Sequence, residues 1–225
     1  MRTVFRTLEQ KIDPRHAALV IIDMQNDMCS PQGSFARMGF DVSPLAAVAP
    51  LIVHMADLAR ESGVLTIYTR VSDRDLRAVS DAYYEANLAF YERQVGREVK
   101  KAGDVEWTET TWGEEFFPPI QPTNKDVVIL KHRFGAFAHT KLEQVLRSNL
   151  IRTLVFGGVL TDVCLESTAR AAIDLDYYVV IAADCTATLT EERQRASLAI
   201  MGNIIGTLAT SHDIGTIWMK SRDEV

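Results

Sequence analysis

With 225 residues the chain can bury a substantial core in one sizeable α/β domain, and its 47% hydrophobic and 24% charged residues exclude disordered and fibrous classes. The formal charge of -6 is scattered, with no Lys/Arg-rich stripe of the kind that tracks phosphates, so nucleic acid is not an expected partner. Three widely spaced cysteines, Cys29, Cys164 and Cys185, fit reduced thiols and a cytoplasmic location better than a disulfide framework, and no CxxC pair suggests zinc.

The polar opening MRTVFRTLEQKIDPRH and the shortness of the apolar run at 17–22 predict neither a signal segment nor a membrane span. That run is the first expected strand. Pro50 suits the first turn of a helix carrying Leu51, Met55 and Leu58, which Gly63 ends, and VLTIYT (64–69) is the second strand. The stretch 71–122 breaks the rhythm, being long, charged and aromatic (Tyr83, Tyr84, Tyr91, Trp107, Trp112, Phe116, Phe117). It reads as a helical excursion and loop, able to cover a pocket or build a subunit contact. VVIL (127–130) is the third strand, followed by Thr140 and Glu143 as a capping box for a helix through Leu142, Val145 and Leu146. TLVFGG (153–158) is the fourth, and Thr161 is placed to cap the helix after it. YVVIA (178–182) is the fifth, with a helix after Thr190 that carries Glu191 and Glu192 in its first turn, and IGTLAT (205–210) is the sixth. Runs apolar on both faces are buried parallel strands, and their alternation with helices predicts a doubly wound, mostly parallel six-stranded sheet with helices on both faces. Residues 1–225 then form a single domain, with the ligand crevice outside the carboxyl ends of the strands.

Three reactive side chains fall at those ends. Asp23 directly follows the first strand, Lys131 directly follows the third, and Cys164 lies just past the fourth. Each alone has a bland explanation as a turn former, a solvated lysine or a packed thiol. Together, on a parallel sheet, they converge on one crevice. A cysteine attacks as thiolate, and its ordinary pKa of about 8.5 leaves little of that form at neutral pH. A helix capped by Thr161 and a nearby Lys131 ammonium would favour the anion. Asp23 supplies a base that returns the proton to the departing amine and then activates water. Gly157 and Gly158 permit a sharp turn, so free N–H groups around 160–164 could hold an oxyanion, although a plain strand-to-helix glycine turn explains the pair equally well.

DMQNDM (23–28), TWGEEF (111–116), LKHRFGAF (130–137) and GGVLTDVCLEST (157–168) resemble, in the same order, the successive motifs of isochorismatase-like cysteine hydrolases. The resemblance spans about 17–214 and implies the Rossmann-like fold of that family, with Asp23, Lys131 and Cys164 as the triad. It further implies a cis peptide between Val159 and Leu160, an oxyanion hole of the backbone N–H groups of Leu160 and Cys164, no cofactor, and a homo-oligomer. Nicotinamidases of this family carry an Asp and His metal cluster after the second strand. Here YTRVSDRDLRAVSD (68–81) contains no histidine, so no catalytic metal is expected.

Local likeness is greatest to ureidoacrylate amidohydrolases, in MQN with Pro31 and Gly33, in GFDVS (39–43) and in the stretch 134–158. This implies a cysteine-dependent amidohydrolase of a small linear ureido or carbamoyl compound; an isochorismatase-type enol ether hydrolase and a non-catalytic scaffold are the alternatives. Around the triad, Gln25 and Asn26 either bind a substrate carbonyl or amide or hold the strand end. Phe35, Phe134 and Phe137 wall the site or simply pack, and Arg133 either meets a substrate carboxylate or is solvated. His132 and His139 have no part in this chemistry, and Cys29 and Cys185 read as packing residues.

Overall fold

The six apolar runs lie side by side as parallel strands, β1 (Ala17–Ile22), β2 (Leu65–Val71), β3 (Val127–Lys131), β4 (Thr153–Val159), β5 (Tyr178–Ala187) and β6 (Thr207–Ala209), in the order β3-β2-β1-β4-β5-β6. The computed structural model describes residues 4–72, 80–83, 85–86 and 111–223. Parallel neighbours need crossovers over the sheet faces. They include α1 (Ala49–Glu61) between β1 and β2, α2 (Leu142–Ser148) between β3 and β4, α3 (Glu166–Asp174) between β4 and β5 and α4 (Glu191–Ile200) between β5 and β6, and α5 (Ser211–Asp223) follows β6.

β1 shows why its whole length is apolar. Leu19 and Ile21 enter one core cluster with Ile52 and Met55 of α1 and Ile214 and Trp218 of α5. Ala18, Val20 and Ile22 enter the other, with Leu142 and Leu146 of α2 and Ala169 and Ala172 of α3. A side chain fully buried in this way contributes about 1.5–3 kcal/mol relative to exposure. The strand order reverses direction between β1 and β4, which is where a doubly wound sheet opens a crevice.

Several local expectations meet the structure differently. α1 does carry Pro50 in its first turn, and Gly63 follows it with φ 74, a left-handed conformation that suits glycine. Thr190 caps α4 through the N–H of Arg193. The Thr140 capping box does not form: Lys141 holds the cap position, and the Thr140 hydroxyl donates to the Ala136 carbonyl at 2.6 Å while accepting from the Leu142 N–H at 3.1 Å. Nor does Thr161 cap a helix. The segment Thr161–Leu165 is a π-helical turn ahead of α3, and the buried Thr161 hydroxyl has no hydrogen-bond partner among the described residues. The last strand keeps only Thr207–Ala209 of its run, because Met201–Ile205 is a second π-helical turn. Of the excursion, 81–83 and 85–86 are helical and Thr111–Glu114 is a 3-10 turn, whereas Tyr84, Tyr91 and Trp107 lie outside the described residues. Among the described residues no helix is long and apolar enough to cross a membrane.

Candidate active site

The carboxyl ends of four adjacent strands contribute one side chain each. Asp23 leaves β1 with φ 47 and is fully buried. From β2 the Thr69 hydroxyl donates to Asp23 Oδ1 at 2.6 Å and accepts from the Asp23 N–H at 3.2 Å. From β3 the Lys131 Nζ lies 2.6 Å from Asp23 Oδ2, with both side chains wholly removed from solvent. β2 separates β1 from β3, so Lys131 must reach across roughly two strand spacings of about 4.8 Å each, which its four-carbon stem allows. The Lys131 ammonium also donates to the Arg133 carbonyl at 3.0 Å. Thr69 is a site residue that the sequence does not single out. Its place follows from a register in which Ile21 sits opposite Tyr68, and a period-two pattern does not reveal that pairing.

Cys164 comes from the turn after β4, and Gly158 is what lets β4 approach so closely. Gly158 has φ +112, and a Cβ there would stand 2.1 Å from the Ile22 carbonyl oxygen, immediately before Asp23. The peptide between Val159 and Leu160 is cis, as the resemblance implies. The Leu160 carbonyl accepts from the N–H groups of Val163 and Leu165, which shapes the turn around the thiol. Cys164 is buried and interacts with both Asp23 and Lys131.

The electrostatics correct one expectation. Burial pushes the Cys164 thiol up to about 12; the Lys131 ammonium opposes the rise and the Asp23 carboxylate reinforces it. The resting group is therefore a thiol, not the thiolate expected from a helix dipole and a lysine. The reason is that the Lys131 charge is already matched by Asp23 at 2.6 Å, so little net positive field is left to offset the loss of water. Burial alone would pull Lys131 down, but the Asp23 carboxylate and then the Cys164 sulfur raise it above its ordinary value, and it stays charged. The three groups form one buried, coupled acid–base unit.

The surrounding candidates divide. Gln25 accepts from the Val71 N–H at 2.8 Å and donates to the carbonyls of Val71 and Glu114, and Asn26 donates to the Trp112 carbonyl at 2.8 Å. Their amides thus dock the segment 111–116 against the end of β1, assisted by a bridge between Gln25 and Phe116, and Gln25 has both ends of its amide engaged. Phe35 is buried in the α1 side of the core, edge-on to Phe40 at 5.4 Å, whereas Cys164 belongs to the opposite cluster. The cluster of Phe35 also holds Met24, Val159 and Leu160. Phe134 and Phe137 do pack against the Cys164 cluster. Arg133 lies with its guanidinium carbon 4.7 Å from the centre of the Tyr83 ring, and Phe134 meets the same ring at 5.2 Å. Thr168 is a second residue without a signal in the sequence: its buried hydroxyl donates to the Cys164 carbonyl at 2.7 Å and accepts from the Ala136 N–H at 3.1 Å. Among the described residues no group of three or more His, Cys, Asp or Glu side chains is arranged to hold a metal ion.

Residues 17–213 match the isochorismatase domain family. The chain is 31% identical over 208 residues to the ureidoacrylate amidohydrolase RutB of Enterobacter sp. (strain 638), covering 89% of this chain and 88% of that protein. It is 30% identical to the ureidoacrylate amidohydrolase RutB of Caulobacter segnis, covering 90% and 85%. A cysteine hydrolase from Pseudomonas syringae pv. phaseolicola shares the fold, with a TM-score of 0.77 at 22% identity over 94% of this chain and 96% of that one. A nicotinamidase PncA from Bacillus subtilis shares it with a TM-score of 0.67 at 23% identity over 86% and 98%. With the family match extending over all six strands of the sheet, this chain belongs to the isochorismatase domain family of hydrolases.

Proposed function

We propose that this hydrolase cleaves the C–N bond of a small linear ureido or carbamoyl compound through a covalent intermediate on Cys164. The observation that carries the reading is the buried contact of Asp23 with Lys131 at 2.6 Å beside the Cys164 thiol. The similarity to proteins named ureidoacrylate amidohydrolases over nearly their whole length supports the substrate class.

In the first half-reaction the Cys164 sulfur attacks the ureido carbonyl carbon while its proton passes to the Asp23 carboxylate. Since the resting thiol is neutral, this transfer accompanies attack, and Lys131 limits the electrostatic penalty of each charge that appears. The carbonyl oxygen gathers negative charge, for which the N–H groups of Leu160 and Cys164 are the proposed donors. The C–N bond then breaks, Asp23 hands its proton to the departing nitrogen, and a thiocarbamate remains on Cys164. In the second half, Asp23 takes a proton from water, whose oxygen attacks the same carbon. Carbamate leaves and the proton returns to sulfur. General acid–base assistance of this kind is worth about 10²–10⁴ in rate. The whole chain acts as one catalytic unit, and a homo-oligomer is the proposed working form.

The test is release of ammonia or amine by purified protein from ureidoacrylate, biuret, N-carbamoyl amino acids, maleamate and nicotinamide, with Cys164→Ala in parallel. Turnover of a ureido compound, lost in the variant at unchanged thermal stability, is the expected result. Turnover that survives loss of the thiol would remove Cys164 from the mechanism. Silence across the panel would move the reading to a bulkier amide, to an enol ether or to a scaffold role.

A further inference from the structure

Asp162 stands in the motif GGVLTDVCLEST between Leu160 and Cys164, and no step of the hydrolysis uses it. Its side chain is only 15% exposed, which limits screening of its charge, and both oxygens are held: Oδ1 accepts from the Thr188 hydroxyl and Oδ2 from the Arg193 Nε, each at 2.5 Å. Thr188 directly follows β5, and Arg193 lies in the first turn of α4, where its own N–H is received by the Thr190 hydroxyl. One turn further along the same face of α4, the Ser197 hydroxyl lies 2.5 Å from Glu166 Oε2 and 3.4 Å from the Thr161 carbonyl. The helix therefore grips the π-helical turn Thr161–Leu165 at Asp162 and again at its two ends. Gln194 donates to the carbonyl and hydroxyl of Thr186, which anchors α4 to the end of β5. That end runs beside β4, with Ala187 opposite Val159, the residue before Leu160.

We infer that Asp162 is a positioning residue: by joining Thr188 and Arg193 it fixes the turn that carries the Cys164 thiol and the Leu160 and Cys164 N–H groups proposed for the oxyanion. Its effect on turnover rests on the hydrolytic reading above, but its hold on the thiol does not. Bonds from one carboxylate to a strand end and a helix start are charge-assisted, and they restrict the turn more than its own backbone bonds alone do. A nucleophile displaced by about 1 Å loses about 10² in rate. Releasing the carboxylate would also let water reach Cys164, and a rehydrated thiol ionises more easily than one held up by burial. Loss of Asp162 therefore carries a double signature, slower turnover together with a more reactive thiol.

Alkylation by iodoacetamide reads the thiol without any substrate, and peptide mass spectrometry separates Cys164 from Cys29, which lies in the core on the α1 side. In Asp162→Ala, alkylation of Cys164 should rise about tenfold while Cys29 keeps its rate, and with a ureido substrate kcat should fall about 10² with KM little changed. Thr188→Val should reproduce part of both effects, and Thr188→Ser, which keeps the hydroxyl, neither. Thr188→Val added to Asp162→Ala should change little further, as expected of one coupled unit. Unchanged alkylation of Cys164 in Asp162→Ala, or a parallel rise at Cys29 that marks general loosening, would overturn the positioning role. Where Asp162→Ala fails to fold, the Thr188 pair decides: faster alkylation confined to Cys164 in the valine variant, with the intact rate in the serine variant, supports the inference, and equal rates in the two sink it. Absence of ureido turnover by a protein that still shows the alkylation change would count against the substrate reading alone.

Discussion

The Thr168 hydroxyl donates to the carbonyl of Cys164 at 2.7 Å while accepting from the Ala136 N–H at 3.1 Å. The first bond is an ordinary turn-back within a helix. The second ties the Cys164 turn to the loop whose Arg133 carbonyl receives Lys131, so Asp23, Lys131 and Cys164 are joined through the backbone as well as through charge. Thr168→Val keeps the shape but strands the buried Ala136 N–H, at about 1–3 kcal/mol of stability. We expect kcat to fall about tenfold with little change in KM, and Thr168→Ser to restore it. Steady-state kinetics alongside urea unfolding separates the two effects; equal loss in the serine variant would deny the hydroxyl this role.

Lys131→Met removes the partner of a buried carboxylate. Leaving Asp23 uncompensated should destabilise the fold by about 3–5 kcal/mol and abolish turnover. Adding Asp23→Asn should recover stability but not activity, because the uncharged pair satisfies burial without acid–base capacity. Urea midpoints of the single and double variants test this, and turnover by Lys131→Met would remove lysine from the mechanism.

Gly158→Ala demands a Cβ 2.1 Å from the Ile22 carbonyl oxygen at φ +112. The two strands would have to part where Asp23 and Cys164 need to meet. A loss of more than about 3 kcal/mol is expected, together with activity. A soluble variant of native stability would contradict the packing described for β1 and β4.

Alkaline stability follows from the thiols. Burial, chiefly, pushes Cys29, Cys164 and Cys185 each up to about 12, well above the ordinary thiol range. Below the unfolded value both states keep these protons and the groups contribute no slope. As pH rises from about 9 toward about 12, the unfolded chain releases protons that the folded chain retains, so stability falls. Unfolding midpoints between about pH 8 and about pH 10.5 should decline, and replacing Cys29 and Cys185 by Ala should flatten the decline. A profile unaffected by those replacements would assign the alkaline loss to other groups.

Much of this is legible in the chain because burial on both faces of a parallel strand leaves an uninterrupted apolar run. The runs at 17–22 and 153–158 return as β1 and β4 within a residue, and the punctuation by Pro50, Gly63 and Thr190 returns as helix ends. Thr140 and Thr161 depart from the expected caps for a common reason. A cap is only one local possibility: the Thr140 hydroxyl turns back to the Ala136 carbonyl four residues earlier, and the Thr161 hydroxyl, on a π-helical turn, has no hydrogen-bond partner among the described residues.

The sequence by itself determined the fold class, the strand ends on which Asp23, Lys131 and Cys164 sit, and the family they resemble, since these depend on periodicity and on residue type along the chain. Only the tertiary structure decided the rest. Register and strand order set Thr69 against Asp23, send Lys131 across β2, dock Gln25 and Asn26 on 111–116, and bring Tyr83 to Arg133. The charge state of Cys164 belongs here too: a thiol's ionisation is set by how much water it loses and by how far its neighbours' charges already cancel, and neither quantity exists until the chain has folded.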